Sequence, residues 1–405
     1  MPQRDVSLFR PRIAAAIRIA SVEDGYIVFD PERDLIHHLN ATAALILELC
    51  DGSRTAQQIR DGVSQLAPAA HVTVADVEAW LQTASSDGLI TGDRDRGTAD
   101  SGSLTGEDLT VLATRLQEEG KTSTALLCLR RAVQLAPQNS QAWYALGELA
   151  HIEGDRKLAR NAYETYLRQQ PGDAEIEHML VALRDQPPPP RASDESVRHL
   201  YRRFADFYDE SMRGELDYEA PERLLDALSA WLPAAEAGLD VLDLGCGTGL
   251  FGSLIQPWAG TLSGVDLSSD MVDRARQRAI YSDLHVAEIT QWLAADGPAF
   301  DLITACEVLI YFGNLNEILF AMARRLAPRG LVGLTLERGS SDDFQFTDSG
   351  RYAHSSRHLS RAAAAAGLQT VHRSDQILRY EYGEPVVGHV AVLQAAGDLA
   401  NARCT

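Results

Sequence analysis

The chain has 405 residues, more than one ordinary domain holds and enough for two or three with separate cores. It is 45% apolar and 23% charged, with a net charge of −20. That excess of acid repels phosphate backbones and anionic membranes, so no nucleic acid and no membrane is expected as partner, and a neutral or basic peptide stays open.

Five cysteines (Cys50, Cys128, Cys246, Cys306 and Cys404) are odd in number and scattered, with no CxxC pair. They read as the reduced thiols of a cytoplasmic protein. The eleven histidines show no metal-ligand spacing, and no metal is expected. Arg10, Pro11, Arg12 and Arg18 break the N-terminal apolar stretches into runs too short for a signal peptide or a membrane span.

The first predicted domain covers 12–92. Strand-like runs at 12–19, 25–30 and 35–39 are punctuated by Pro31 and Asp34. Asn40 caps a helix over 41–50 that Asp51-Gly52 ends. Thr55 caps a second helix, through 63, and Thr73 precedes a third, over 74–86. Phe29-Asp30-Pro31, Leu39-Asn40-Ala41-Thr42-Ala43, the run from Ile46 to Gly52, Thr55 to Ile59, Val77 to Leu81 and Gly88-Leu89-Ile90 resemble the PqqD-like family. These are winged-helix-like peptide-binding domains known as RiPP recognition elements. The resemblance implies that a precursor peptide's leader adds as a strand beside the third strand and lies against the third helix. The implied contacts are Leu35, Ile36, His37 and His38 on the strand and Val77, Trp80 and Leu81 on the helix. The alternative is a winged-helix-like domain used for dimerisation or packing. A DNA-binding wing is disfavoured, because the third helix carries Asp76 and Glu78 and almost no base.

The second predicted domain, 105–184, repeats itself at a spacing of about 34 residues: Leu112 with Leu146, Gly120 with Gly154, Ala125 with Ala159, Leu129 with Tyr163 and Pro137 with Pro171. Trp143, Leu146, Gly147, Ala159 and Pro171 resemble the tetratricopeptide (TPR) consensus. Two repeats, with a helix over 174–183 as cap, make a short unit that serves either as a spacer or dimer surface or as a ligand groove. Pro187 to Pro190 then predict an extended, semi-rigid linker over 185–195.

The last predicted domain, 196–397, opens with a helix over 195–210 carrying Tyr201, Phe204 and Tyr208, which either close over a ligand or belong to the core. Strands at 240–244, 261–267, 284–289, 300–306, 330–336, 368–373 and 386–393 alternate with helices, the clearest at 269–279, 315–326 and 356–366. The expectation is a multidomain α/β chain ending in a Rossmann-like, mostly parallel seven-stranded sheet. The first strand runs into Leu242-Asp243-Leu244-Gly245-Cys246-Gly247-Thr248-Gly249, a glycine-rich turn that lets a ligand approach the backbone. Leu250 stands where a dinucleotide loop would want glycine. Asp243 can pin that loop's N–H groups or face the positive end of a ligand. Asp266, ending the second strand, can take ribose hydroxyls, and Glu288, ending the third, an adenine amino group.

Together with "GVDLSSDM" (Gly264 to Met271) and "CEVLIYFG" (Cys306 to Gly313), the loop resembles the class I S-adenosylmethionine-dependent methyltransferases. Phe204, Phe207-Tyr208-Asp209, Tyr311-Phe312-Gly313 and the run from Gly350 to His354 resemble the tetratricopeptide-linked predicted type in particular. The resemblance implies S-adenosylmethionine as cofactor, S-adenosylhomocysteine as product and an antiparallel last strand. The implied cofactor contacts are Asp243, Gly245, Cys246, Gly247, Gly249, Asp266, Leu267, Met271, Glu288, Ile289, Cys306 and Tyr208. Glu288 and Glu307 stand where the family usually has Asp. If the acceptor arrives protonated, His354 and Glu307 are the candidate bases; for His354 a solvated loop position is the alternative.

The whole predicts a methyltransferase for a ribosomally made precursor peptide. Two alternatives remain: a small-molecule O- or C-methyltransferase whose N-terminal segments serve assembly, a homodimer included, and a non-catalytic peptide-binding scaffold.

Overall fold

A computed structural model describes residues 9–92, 102–184, 186–204, 217–235, 238–381 and 383–395. The chain divides into two compact units, Met1–Gln170 and Pro171–Thr405.

In the first unit, β1 (Arg12–Ile13), β2 (Arg18–Val22), β3 (Gly25–Asp30) and β4 (Leu35–Asn40) lead into α1 (Ala41–Glu48), α2 (Ala56–Leu66), α3 (Val74–Ser86) and β5 (Ile90–Thr91). The predicted caps form: the Asn40 carboxamide accepts from Ala43 N–H, and Thr55 and Thr73 close capping boxes with Gln58 and Asp76. β6 (Gly102–Ser103) precedes α4 (Gly106–Glu118), α5 (Thr122–Leu135), α6 (Ser140–Ile152) and α7 (Arg156–Gln169). One sheet has the order β4-β3-β2-β6, while β1 pairs with β5. Its two faces are both covered. Val28 and Leu39 pack with Leu47, Ile59 and Val77 of α1 to α3. Ala20 and Ile27 pack with Leu109, Leu112 and Leu116 of α4 and with residues of α5 to α7. The 34-residue spacing corresponds to two helical hairpins, α4/α5 and α6/α7. Gly120 and Gly154 take the same left-handed conformation, φ +73° and +77°, at the two turns.

The second unit begins with α8 (Ala174–Leu183), which packs on α9 (Asp194–Phe204). The helix expected to cap the repeats thus groups with this unit, because Ile176 and Leu180 bury here and His178 bonds the Gly350 carbonyl at 2.8 Å. After α10 (Ala220–Ser229) come β7 (Leu239–Leu244), α11 (Leu250–Ile255), β8 (Ala259–Asp266), α12 (Ser269–Gln277), β9 (Asp283–Val286), α13 (Ile289–Ala294), β10 (Phe300–Ala305), α14 (Asn316–Arg324) and β11 (Leu326–Arg338). β12 (Phe344–Phe346), β13 (Tyr352–His354), α15 (Ser356–Ala365), β14 (Leu368–Glu381) and β15 (Glu384–Ala395) complete it.

The order β9-β8-β7-β10-β11 is parallel, and β15 pairs antiparallel with β11 and with β14. Among the described residues, nine strands, not the expected seven, make this sheet. The extra two are β12 and β13, and β13 pairs with Glu337 and Arg338 of β11 beyond the end of β10. Tyr352, fully buried against the Phe344 and Phe346 rings, holds that hairpin in place. No helix among the described residues is long and apolar enough to cross a membrane.

Candidate active site

The carboxyl ends of β7, β8, β9 and β10 open into a pocket. Of the residues implied as cofactor contacts, Gly245, Gly247, Asp266, Leu267, Met271, Glu288, Ile289 and Cys306 line it. Asp266 accepts from Gly247 N–H at 2.9 Å and from Ser268 N–H at 2.8 Å, so one carboxylate ties the glycine loop to the start of α12. Burial raises its pKa, against the pull of those N–H groups. Each of its oxygens keeps a second lone pair that a diol can use. The Glu288 carboxylate caps α13, accepting from Thr290 and Gln291 N–H at 3.0 and 2.8 Å.

Asp243 departs from its expected roles. It neither pins the loop's N–H groups nor lines the pocket. It is buried and accepts from Tyr281 Oη at 2.8 Å and Thr304 Oγ1 at 2.9 Å, tying together β7, β10 and the segment before β9. Burial pushes its carboxyl up to about 6. Cys246 is likewise buried, its N–H donating to Val265 O, and Gly249 is the left-handed N-cap of α11 (φ +90°); neither lines the pocket. Tyr208 lies outside the described residues.

The two candidate bases sit in different surroundings. His354 is fully buried on β13, not in a solvated loop. Its Nε2–H donates to the carbonyls of Phe312 (2.8 Å) and Gly313 (3.1 Å), and it does not line the pocket. Burial, and then nearby His358, hold its pKa down to about 4. Native His354 therefore stays neutral until about pH 4, whereas in the unfolded chain it takes a proton below about 6.5. The stability it contributes is complete above 6.5 and is lost as pH falls toward 4, by about 3 kcal/mol at most. Chemical denaturation of His354→Gln should accordingly lose less stability between pH 7 and pH 4.5 than the unmodified chain; parallel losses would contradict this.

Glu307 does line the pocket, in a left-handed conformation (φ +58°). Its carboxylate, however, is engaged by buried Arg379 and by Thr335 Oγ1 at 3.2 Å. Arg379 also binds Glu337 and, at 3.0 Å, Glu381, while Arg351 binds Glu381 and sits 3.7 Å from Glu337. A carboxylate held in such a network is a wall group and a poor proton acceptor.

Sequence reasoning missed the pocket's outer wall: Arg191, Ala192, Val197, Val308, Tyr311 and Phe312. The proline run expected as a linker is docked, not free. Gly313 N–H donates to Pro190 O at 2.9 Å, Ala192 N–H to Tyr311 O at 2.8 Å, and Tyr352 Oη to Pro189 O at 2.5 Å. Those bonds run through backbone carbonyls, which leave no trace in residue type. Tyr201 of α9 lines the pocket with its hydroxyl 2.9 Å from that of Tyr311. Phe312 and Gly313 are thus held by this docked segment, the 189–192 strap, on one side and by His354 on the other.

Residues 212–373 match the family described as "Methyltransferase domain". The second unit carries a methyltransferase domain. The diol-accepting Asp266, the glycine loop and the apolar walls of Met271 and Ile289 fit a nucleoside carrying a short chain, as S-adenosylmethionine is. Residues 25–90 match "Coenzyme PQQ synthesis protein D (PqqD)", so the first unit carries a PqqD domain. Among curated proteins, the chain is similar to the ubiquinone biosynthesis O-methyltransferase of Bartonella bacilliformis, 32% identical over 25% of this chain and 43% of that protein. It is also similar to methyltransferase-like protein 27 of Homo sapiens (34%, covering 36% and 59%) and to the trans-aconitate 2-methyltransferase of Delftia acidovorans (36%, covering 27% and 41%). The chain spans roughly half the length of these relatives.

The PqqD domain sorts the expected peptide contacts. Leu35 is 45% exposed on β4, the open edge of its sheet among the described residues. Strand alternation puts Leu35, His37 and Leu39 on the α1–α3 face, and Ile36 and His38 on the other. Ile36 accordingly packs toward α4–α7, and His38 bonds Asp24 at 2.9 Å. Val77 and Leu81 are buried in the core and unavailable to a ligand; half-buried Trp80 beside them remains available.

Proposed function

We propose that this chain is an S-adenosylmethionine-dependent methyltransferase of a ribosomally made precursor peptide, whose leader is held by the PqqD domain. The observation that carries this is the open β4 edge of a PqqD domain on the same chain as a methyltransferase pocket. An unpaired edge offers a row of backbone donors and acceptors to an extended segment. Docking the leader there raises the effective concentration of the core peptide at the pocket.

Bound S-adenosylmethionine supplies an electrophilic methyl group, which leaves with little covalent help. The chain's own residues bind, orient and exclude water. Asp266 and Glu288 hold the nucleoside, and Gly245 and Gly247 admit its chain. Val308, Tyr311, Phe312 and Tyr201 wall the acceptor's approach. In this account α4–α7 are tetratricopeptide-type repeats, the strap carries the connection into the pocket wall, and the protein works in the cytoplasm.

The second reading, a small-molecule O-methyltransferase, is favoured by the names of the ubiquinone-pathway relatives. Steady-state methylation of candidate precursor peptides from the same genome separates the two. Leu35→Glu should raise KM about tenfold with kcat unchanged, and leave a leaderless core peptide unaffected. Equal turnover with and without a leader would contradict the peptide reading.

A further inference from the structure

Two helices, not one, reach the open edge of the PqqD sheet. On one face, the Ser86 carbonyl at the end of α3 accepts from Arg33 Nη1 at 3.5 Å. On the other, Asp108 near the start of α4 lies 3.6 Å from Arg18 of β2, while Arg115 in its last turns grips the side chain and carbonyl of Asp34. α4 therefore crosses the sheet from β2 toward β4, and its C-terminal turn arrives at the edge. The opposite edge is partly taken by the chain itself, since β6 pairs with Arg18 and Ile19 of β2. β4 has no second strand partner among the described residues.

We infer that α4 of the helical hairpins forms the second wall of the peptide site, so that an extended peptide added beside β4 is held between α3 and α4 and carries a basic side chain where both helices end. The inference rests on the peptide reading above and adds to it the partner's chemistry. Alternate residues of an added strand point to opposite faces, so one set meets α3 with Trp80 and the other meets α4. Both helices present their carboxyl ends, each with partial negative charge, to the start of β4. In sequence, Glu32, Asp34, Asp87, Glu118 and Glu119 stand at or next to these ends, with Arg33, Arg115 and Lys121. Arg115 and Lys121 are already paired with Glu119, and Arg115 with Asp34 as well. The remaining field is acidic and complements a lysine or arginine, not a carboxylate.

The test pans a displayed library of random 12-residue peptides on the full chain, then measures the best peptide's Kd by fluorescence anisotropy. Enriched peptides should carry a basic residue. Their affinity should fall at least tenfold in Glu118→Lys/Glu119→Lys, fall similarly in Trp80→Ala, and weaken with added salt. Peptides that bind and depend on Trp80 but are indifferent to the α4 substitutions would overturn the second wall and leave the peptide reading intact. Failure to enrich any peptide would remove both. Circular dichroism of the exposed-site variant confirms that it folds.

Discussion

Gly245→Ala should weaken S-adenosylmethionine binding by at least 100-fold, measured by calorimetric titration. Gly245 has φ +60°, where a side chain costs about 1–2 kcal/mol. A Cβ there would stand 2.3 Å from one methyl of Val308 and 2.9 Å from the other. Val308 is short and β-branched, so it cannot swing aside as a long side chain could. It also lines the pocket, so any retreat moves the wall that faces the cofactor. Overpacking of this kind adds roughly 1–3 kcal/mol. Gly247 is the useful contrast: at φ +53° it has the same backbone strain, but nothing stands within 4 Å of its Cβ. Gly247→Ala should therefore cost the unliganded protein markedly less stability than Gly245→Ala. Equal losses in both variants would show that strain alone, not the approach of Val308, governs the loop.

Arg379→Met is expected to destabilise the methyltransferase unit by about 3–5 kcal/mol, the typical result of stripping one partner from a buried ionic network. Arg379 is 3% exposed and holds Glu307, Glu337 and Glu381 together. Burial already pushes Glu337 up to about 7, against the pull of Arg351. For Glu381, burial acts in the same upward direction, but Arg351 and Arg379 outweigh it and carry the carboxyl down to about 2. Without Arg379, Glu337 and Glu381 are left to Arg351, and Glu307 keeps only the Thr335 hydroxyl of these partners. For a unit of this size the loss corresponds to a fall in Tm of about 10 °C. Adding Glu307→Gln to Arg379→Met should recover part of it, because the burden is uncompensated charge. A Tm unchanged in Arg379→Met would contradict a network that supports the pocket wall.

The parts legible in the sequence are those where residue type dictates backbone. Asn40, Thr55 and Thr73 announce helix starts because their side chains satisfy orphan N–H groups. Gly245, Gly247 and Asp266 mark a nucleoside loop because a close approach and a diol acceptor need those residues at strand ends. What escaped rests on tertiary placement. Nothing local distinguishes a free proline linker from one whose Pro189 and Pro190 carbonyls are claimed by Tyr352 and Gly313. His354 has the residue type of a base, but β13 buries it beneath Phe312 and Gly313. Glu307 has the type as well, and Arg379, 72 positions away, neutralises it. Ile36 and Val77 were assigned to the peptide by family position, whereas packing against α4–α7 and against α1–α3 decides what each can touch.

The most direct test of the account is methyl transfer itself. The full chain is incubated with S-adenosylmethionine carrying a labelled methyl group and candidate precursor peptides from the same genome. The account predicts label in the core of one such peptide, abolished by Gly245→Ala and strongly reduced by a competing free leader. Label appearing only on a small phenol, with every peptide untouched at every concentration, would contradict it.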